Sequence, residues 1–191
     1  MMKPLARRLT IISLVVLILV LSFLIDNCMI DLINSIKNPV MDSFFSFIVS
    51  FEEHWIFYPI VALISIFLVA LRKKQNIIPY IISIILTLGI AFTLKGIIQR
   101  PRIDDGAMDS FPSGHTTALF TLQPFLTGVI SIIWLILSLI LVFARMWTGM
   151  HYFSDIIAGM IIGYGISYLI IRLYQNFQSK RKVKRLKKKK G

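Results

Sequence analysis

Six apolar stretches dominate this chain, at residues 9–25, 55–71, 77–98, 113–127, 129–146 and 153–173. Each approaches the roughly 20 residues that a helix needs to cross the hydrocarbon core of a bilayer. Inside that core every backbone N–H and C=O must find its partner within the protein, which a helix achieves within a single segment. Composition agrees, because 57% of the 191 residues are apolar and only 16% are charged, against about 25% charged in a soluble domain. The expected fold is all-α: an integral membrane bundle of six transmembrane helices. The fourth stretch is the shortest, and is expected to begin below the headgroup layer and leave a recess at its first turn.

Charge gives the orientation. With six alternating spans, sixteen of the 21 Lys and Arg residues fall on the side of the amino terminus. The other side keeps Lys37, Lys95, Arg100, Arg102 and Arg145. The positive-inside rule then places both termini in the cytoplasm. The nine acids, from Asp26 to Asp155, fall on or near the outer side. The first stretch follows Lys3, Arg7 and Arg8 as a signal peptide would, but it exceeds the core of about 7–15 residues and lacks a clear small-residue cleavage site. It is expected to remain as a helix. Most of the net charge of +12 sits at residues 180–190, directly after the last span. A basic cluster there reads as a topology determinant and a contact for anionic lipid, and no nucleic-acid partner is expected. Residues 1–179 are thus expected to form one membrane domain, and 180–191 a basic cytoplasmic tail. The lone Cys28 has no partner for an internal disulfide.

Between the first two spans, Asn38 and Pro39 have the chemistry of an N-cap and first helical residue. Val40, Met41, Phe44, Phe45, Ile48 and Phe51 follow near helical spacing, with Asp42, Ser43, Ser46 and Ser50 opposite, which predicts an interfacial amphipathic helix. Guiding lipid and packing over the bundle are both compatible with it. Trp55, Tyr58, Trp147 and Tyr152 suit an outer aromatic belt. Gly159 and Gly163 form a small-xxx-small pair, whose commonest meaning is close helix packing.

Ionisable groups beside membrane-length apolar segments default to a functional reading, because burying them is costly. Three short stretches hold them: KGIIQRPR from Lys95 to Arg102, PSGH from Pro112 to His115, and RMWTGMHYFSD from Arg145 to Asp155. In the second, a serine able to cap a helix, a glycine that admits close backbone approach and first-turn amides form an anion site; alone, the same residues are also ordinary turn chemistry. In the third, His151 and Asp155 are spaced i, i+4 and share a face if the segment is helical, so the carboxylate can fix the imidazole tautomer. A neutral histidine nitrogen can attack phosphorus, although the pair alone also fits an interfacial ion pair. Lys95, Arg102 and Arg145 can stabilise charge on phosphoryl oxygens, or each can snorkel as a span terminus. All of them fall on the same side as both histidines, and this convergence carries the site.

These motifs resemble those of the type 2 phosphatidic acid phosphatase family, the integral-membrane branch related to vanadium haloperoxidases. The family pattern Lys-x6-Arg-Pro is similar to Lys95 through Arg102, Pro-Ser-Gly-His matches residues 112–115, and Ser-Arg-x5-His-x3-Asp is similar to residues 144–155. Ile103 stands where the first motif has proline, and Ala144 where the third has serine. Arg100-Pro101 offers another Arg-Pro pair two residues early, so Arg102 is the preferred ligand and Arg100 an auxiliary candidate. The resemblance implies that His151 is the nucleophile of a phosphohistidine intermediate and that Asp155 orients it. It implies that His115 protonates the leaving oxygen and then activates water, and that Lys95, Arg102, Ser113, Gly114 and Arg145 bind phosphate. No metal or other cofactor is implied, and the sequence has no cluster of carboxylates, histidines or thiolates with metal-ligand spacing.

The activity that follows is hydrolysis of a lipid phosphate or diphosphate at the outer leaflet. A polyprenyl diphosphate of the undecaprenyl or dolichyl type is the first expectation, since a carrier lipid released there must lose a phosphate before reuse. Phosphatidylglycerophosphate or phosphatidic acid is the alternative. A lipid phosphotransferase would use the same nucleophile with a second lipid as acceptor, and a lipid-binding or transport protein would release no phosphate at all.

Overall fold

Apolar runs become helices throughout the computed structural model, which describes residues 4–53 and 57–188. Among the described residues eight α-helices follow one another: α1 (Pro4–Leu24), α2 (Asp26–Ile36), α3 (Pro39–Glu53), α4 (Phe57–Arg72), α5 (Ile77–Ile98), α6 (Gly114–Leu122), α7 (Gly128–Trp147) and α8 (Phe153–Lys188). No strand occurs among the described residues.

The segments Lys74–Ile98, Gly128–Trp147 and Phe153–Lys182 are long and apolar enough to cross a bilayer. Leu9–Leu24 and Asp26–Ile36 pass the same test only when taken together, and they are bent by 52° at Ile25, as a broken span or a re-entrant loop is. Large apolar side chains along α1, α5 and α7, among them Leu14, Ile85 and Ile132, are about half exposed or more, as expected where lipid is the surrounding medium. The chain is therefore a multi-pass membrane protein. Six apolar stretches do not give six long helices among the described residues, and the fourth is cut short. In residues 113–127 the α-helix stops at Leu122 and Pro124 sits in a 3-10 turn, Gln123–Phe125, since proline's missing N–H and its ring break the α-helical ladder. The nine residues of α6 reach about 14 Å at 1.5 Å per residue. In the second stretch, α4 covers Phe57–Arg72, and Trp55 lies outside the described residues.

Asn38 caps α3 as expected, its Oδ1 accepting from the Met41 amide at 3.0 Å. The helix packs over α7 through buried Phe45 and Val49, with the Phe45 ring 5.4 Å from Phe143 and 5.0 Å from Trp147. Val40, Phe44, Phe47 and Phe51 stay exposed on its other side. Trp147 is not a belt residue. It is buried in this cluster and its Nε1 donates to Asp42 Oδ1 at 2.8 Å, which gives its polar edge a partner inside the protein. Tyr152 is half-buried, and the side chain of Tyr58 lies outside the described residues. Cys28 is free and exposed.

The contact that positions the site lies between α6 and α8. A methyl on Gly163 would stand 2.4 Å from the Thr117 carbonyl oxygen, and one on Gly159 would stand 2.8 Å from the Ser113 carbonyl oxygen. The small pair thus lets the α6 backbone lie directly on α8. Beyond that contact α8 runs on as one helix, past residue 179 to Lys188.

Candidate active site

Three chain reversals bring the motifs together. At the first, α5 ends on Gln99, whose φ of 48° turns the chain while its amide bonds to the Lys95 carbonyl. Lys95 therefore sits in the last helical turn. The following loop closes on itself through Arg102 N to Ala107 O at 2.9 Å and Ser110 N to Arg100 O at 3.0 Å. It is stapled to the third motif by the Ile103 and Asp104 amides, which share the Gly149 carbonyl at 3.0 and 3.2 Å. Gly149 has a φ of 84°, and a Cβ there would touch Asp104 at 3.4 Å. A residue free to adopt that conformation without a side chain is what the junction requires.

At the second reversal, Ser113 caps α6. Its Oγ accepts from the Thr116 hydroxyl at 2.9 Å and the Thr116 amide at 3.4 Å. Its own amide donates to the Asp155 carbonyl at 3.1 Å, joining the second motif to the third. Gly114 opens the helix, with its Cα side facing Lys95 Cε: a Cβ there would lie 3.8 Å from it. His115 follows and borders a cavity of about 520 Å³ lined largely by apolar side chains of α4 to α7, with Glu52, Tyr80 and Trp134 also on its wall.

At the third, α7 ends just after Arg145, and the Met150 and His151 amides fold back onto the Arg145 carbonyl at 3.0 and 3.3 Å. His151 therefore precedes α8 instead of lying on it. The i, i+4 pair does not meet across a helical face; it meets across the capping turn, where Tyr152 N donates to Asp155 Oδ2 at 2.8 Å. Asp155 Oδ2 stands 3.7 Å from His151 Nδ1, in electrostatic contact but beyond a hydrogen bond. By ring geometry Nε2 is on the edge away from Asp155. Burial pushes the His151 imidazole below the ordinary histidine pKa, against the opposing pull of Asp155, so the ring is neutral at neutral pH.

The cations are held by carboxylates. Arg102 makes a fork to Asp109, Nε to Oδ1 at 2.7 Å and Nη2 to Oδ2 at 3.0 Å. Partial burial opposes the charge on both groups, yet the pairing prevails: Arg102 lies above its ordinary pKa and Asp109 below its own. Lys95 Nζ donates to the Asp109 carbonyl and is 3.8 Å from its carboxylate. Arg145 is only 2% exposed, with Nε bonded to Glu52 Oε2 at 2.9 Å and Nη1 3.5 Å from Met150 Sδ. Its Nη2 is buried without a hydrogen-bond partner. Lys95, Arg102, Arg145 and His151 all act electrostatically on His115.

The structure thus brings Lys95, Arg102, Ser113, Gly114, His115, Arg145, His151 and Asp155 to one end of the bundle. It adds residues that the motifs did not single out. Glu52 reaches Arg145 from α3, Ser110 donates to Asp155 Oδ2, and Asp26 and Ser154 bond to Arg100 and to one another. Glu52 carries a legible signal, since it continues the buried helical stripe of Phe45, Ile48 and Val49 as a charge where an apolar residue is expected. Among the described residues no group of three or more His, Cys, Asp or Glu is arranged to hold a metal ion.

The family model described as the PAP2 superfamily matches residues 76–179, which contain all three motifs, and the chain belongs to that superfamily. It is 25% identical over 169 residues to a lipid A 4'-phosphatase of Porphyromonas gingivalis, covering 74% of this chain and 70% of that protein. The crystal structure of Aquifex aeolicus LpxE is similar with a TM-score of 0.63 and 22% identity, over 78% of this chain and 95% of the other. That of the first transmembrane PAP2 type phosphatidylglycerolphosphate phosphatase from Bacillus subtilis has a TM-score of 0.66 and 20% identity, over 88% and 96%.

Proposed function

We propose, from membership of the PAP2 superfamily as the premise, that this chain hydrolyses a phosphate from a membrane lipid through a phosphohistidine. The observation that carries the reading is Arg145 Nη2, a cationic donor buried without a partner beside two histidines and two further cations. A buried donor of that kind is costly unless it meets an acceptor, and a phosphate oxygen supplies one with the opposite charge. The amides opening α6 add donors and a favourable dipole, and the phosphate displaces the Asp109 carboxylate from Arg102.

His151, neutral through burial, attacks phosphorus with the nitrogen turned away from Asp155. The P–N bond forms as the bond from phosphorus to the lipid oxygen breaks, and His115 gives that oxygen a proton. In the second half, His115 takes a proton from water, whose oxygen attacks phosphorus, and the P–N bond breaks to release phosphate. Asp155 stabilises the charge that develops on His151. Lys95, Arg102, Arg145, Ser113 and Gly114 hold the phosphoryl oxygens. No step calls for a metal.

The apolar cavity beside His115 supports a lipid tail running between α4 and α7. A polyprenyl diphosphate is the substrate of first choice, on the ground that a single long chain suits one such cavity and that the site faces the outer leaflet. The names of the relatives favour a second reading, a lipid phosphomonoester such as phosphatidylglycerophosphate or phosphatidic acid. Both readings use six passes, with the short α6 completing its crossing through the turn to Thr127, both termini in the cytoplasm, and residues 180–191 extending from the domain toward anionic lipid.

Phosphate release from purified protein in detergent, in excess chelator, tests this directly. Undecaprenyl diphosphate is expected to release phosphate without any acceptor lipid, and faster than phosphatidylglycerophosphate. Preference for the monoester favours the second reading. Turnover that requires an added acceptor makes the protein a phosphotransferase, and turnover restored only by a divalent ion overturns the metal-free mechanism.

A further inference from the structure

Arg100 is the cation that the proposed chemistry leaves unused, and its surroundings are unusual. Two carboxylates flank one guanidinium: Nη1 bonds to Asp155 Oδ1 at 2.7 Å, and Nη2 to Asp26 Oδ2 at 2.8 Å. Ser154 closes the cluster, accepting from Arg100 Nη1 at 2.7 Å and donating to Asp26 Oδ2 at 2.6 Å, while its amide donates to Asp26 Oδ1 at 2.8 Å. The guanidinium also lies 3.7 Å from the centre of the Tyr152 ring. Asp26 is 4% and Asp155 0% exposed. Asp26 opens α2 at the bend after α1, 50 residues before the region matched by the family begins at residue 76.

We infer that Asp26 and Arg100 are positioning residues for the nucleophile, fixing from behind the carboxylate that faces His151. This rests on the reading of His151 as the attacking group. Asp155 divides its bonds: Oδ1 goes to Arg100, while Oδ2 receives Ser110 Oγ and Tyr152 N and faces His151 Nδ1. Without Arg100, Oδ1 loses its cationic partner, and the carboxylate is held opposite the imidazole only through Ser110 and Tyr152 on Oδ2. Without Asp26, the positive charge of Arg100 bears on Asp155 alone and offsets the negative field that favours an imidazolium-like His151 in the transition state. The anchor therefore comes from the first, bent helix pair, and its action falls on the chemical step, since neither residue belongs to the proposed phosphate shell.

The test compares Asp26→Asn, Asp26→Glu and Arg100→Lys with wild type, reading kcat, KM, and single-turnover formation of acid-labile, base-stable phosphoenzyme from a radiolabelled lipid phosphate. Misplacement of a reacting group by about 1 Å costs up to about a hundredfold. Asp26→Asn is accordingly expected to lower kcat and phosphoenzyme formation together by about tenfold or more, with KM within about twofold. Asp26→Glu is expected to recover most of the loss, because it restores the charge. A kcat within about twofold of wild type in Asp26→Asn overturns the inference, as does a loss that appears in KM alone. Should Asp26→Asn fail to fold, Ser154→Ala keeps every charge and loosens the cluster; a reduced kcat at constant KM then supports the role, and an unchanged kcat overturns it. A wild-type protein that forms no phosphoenzyme overturns the functional reading and this inference with it. An active wild type with indifferent variants overturns the inference alone.

Discussion

His151 and His115 carry different parts of the proposed reaction, and single substitutions separate them. His151→Ala should abolish phosphoenzyme labelling and lower turnover by at least about 10³-fold, as removal of a nucleophile does, while the melting profile stays close to that of wild type. Undiminished labelling would identify another nucleophile. The same residue sets an acid limit. Burial lowers the pKa of His151, so the ring stays neutral as pH falls through the ordinary histidine value of about 6.5. Single-turnover phosphorylation, corrected for substrate ionisation, should hold its rate through that value and decline only below it; a midpoint at or above about 6.5 would contradict the assignment. A general acid contributes about 10²–10⁴-fold, and less when the leaving group is weakly basic. His115→Ala should therefore lose more single-turnover activity on a natural lipid than on an activated aryl phosphate, and equal losses would count against its acid role. Much of the candidate site's membership was legible in the sequence, because histidines, cations and a carboxylate beside apolar runs are conspicuous. Their partners were not. Glu52 and Arg145 are 93 positions apart, Asp26 and Arg100 are 74 apart, and Asp42 and Trp147 are 105 apart. Periodicity reports spacing within an element and is silent about which elements will touch.

Helix ends, more than helix middles, make this site. Lys95 ends α5, Ser113 caps α6, Arg145 ends α7 and Asp155 opens α8. The sequence showed α3 through Asn38, and Gly159 and Gly163 as a close-packing pair; of the expected apolar face of α3, however, Phe45 is buried while Val40, Met41, Phe44 and Phe51 are exposed, and Asp42, expected opposite, bonds to Trp147. It overstated α6, because mean apolarity over residues 113–127 outweighed the local effect of Pro124. It left open whether His151 and Asp155 share a helical face, because spacing alone cannot tell such a face from a capping turn whose carboxylate turns back to an amide. The seam between α6 and α8 is the element-scale feature most open to test. In Gly163→Ala the new methyl would lie 2.4 Å from the Thr117 carbonyl oxygen, and rigid backbone has little room to yield. Overpacking of this sort costs about 1–3 kcal/mol. A lowered thermal midpoint in detergent, together with reduced kcat as His115 shifts against His151, is the expected outcome; an unaltered midpoint would show that the helices separate freely.

At the scale of the molecule, the proposed orientation rests on charge and is open to labelling. In a Cys28→Ser background, Met108→Cys lies on an exposed part of the loop and should react with an impermeant thiol reagent in sealed cells. Ser179→Cys should react only after permeabilisation. The reverse pattern would turn the site to the cytoplasm and remove the ground for preferring a carrier-lipid diphosphate. The length of α8 matters to the same question. Its 36 residues span about 54 Å at 1.5 Å per residue, while the hydrocarbon core is about 30 Å thick. Asp155 lies in its first turn and the basic run near its other end, with no break between them. In the proposed orientation the helix would work as a dipstick: charges resting against one leaflet would set how deeply the reacting groups are immersed at the other. A thicker bilayer would drown the dyad beneath the plane of the lipid phosphates, and a thinner one would lift it clear, so the elevation of the chemistry is decided on the side of the membrane where no chemistry takes place.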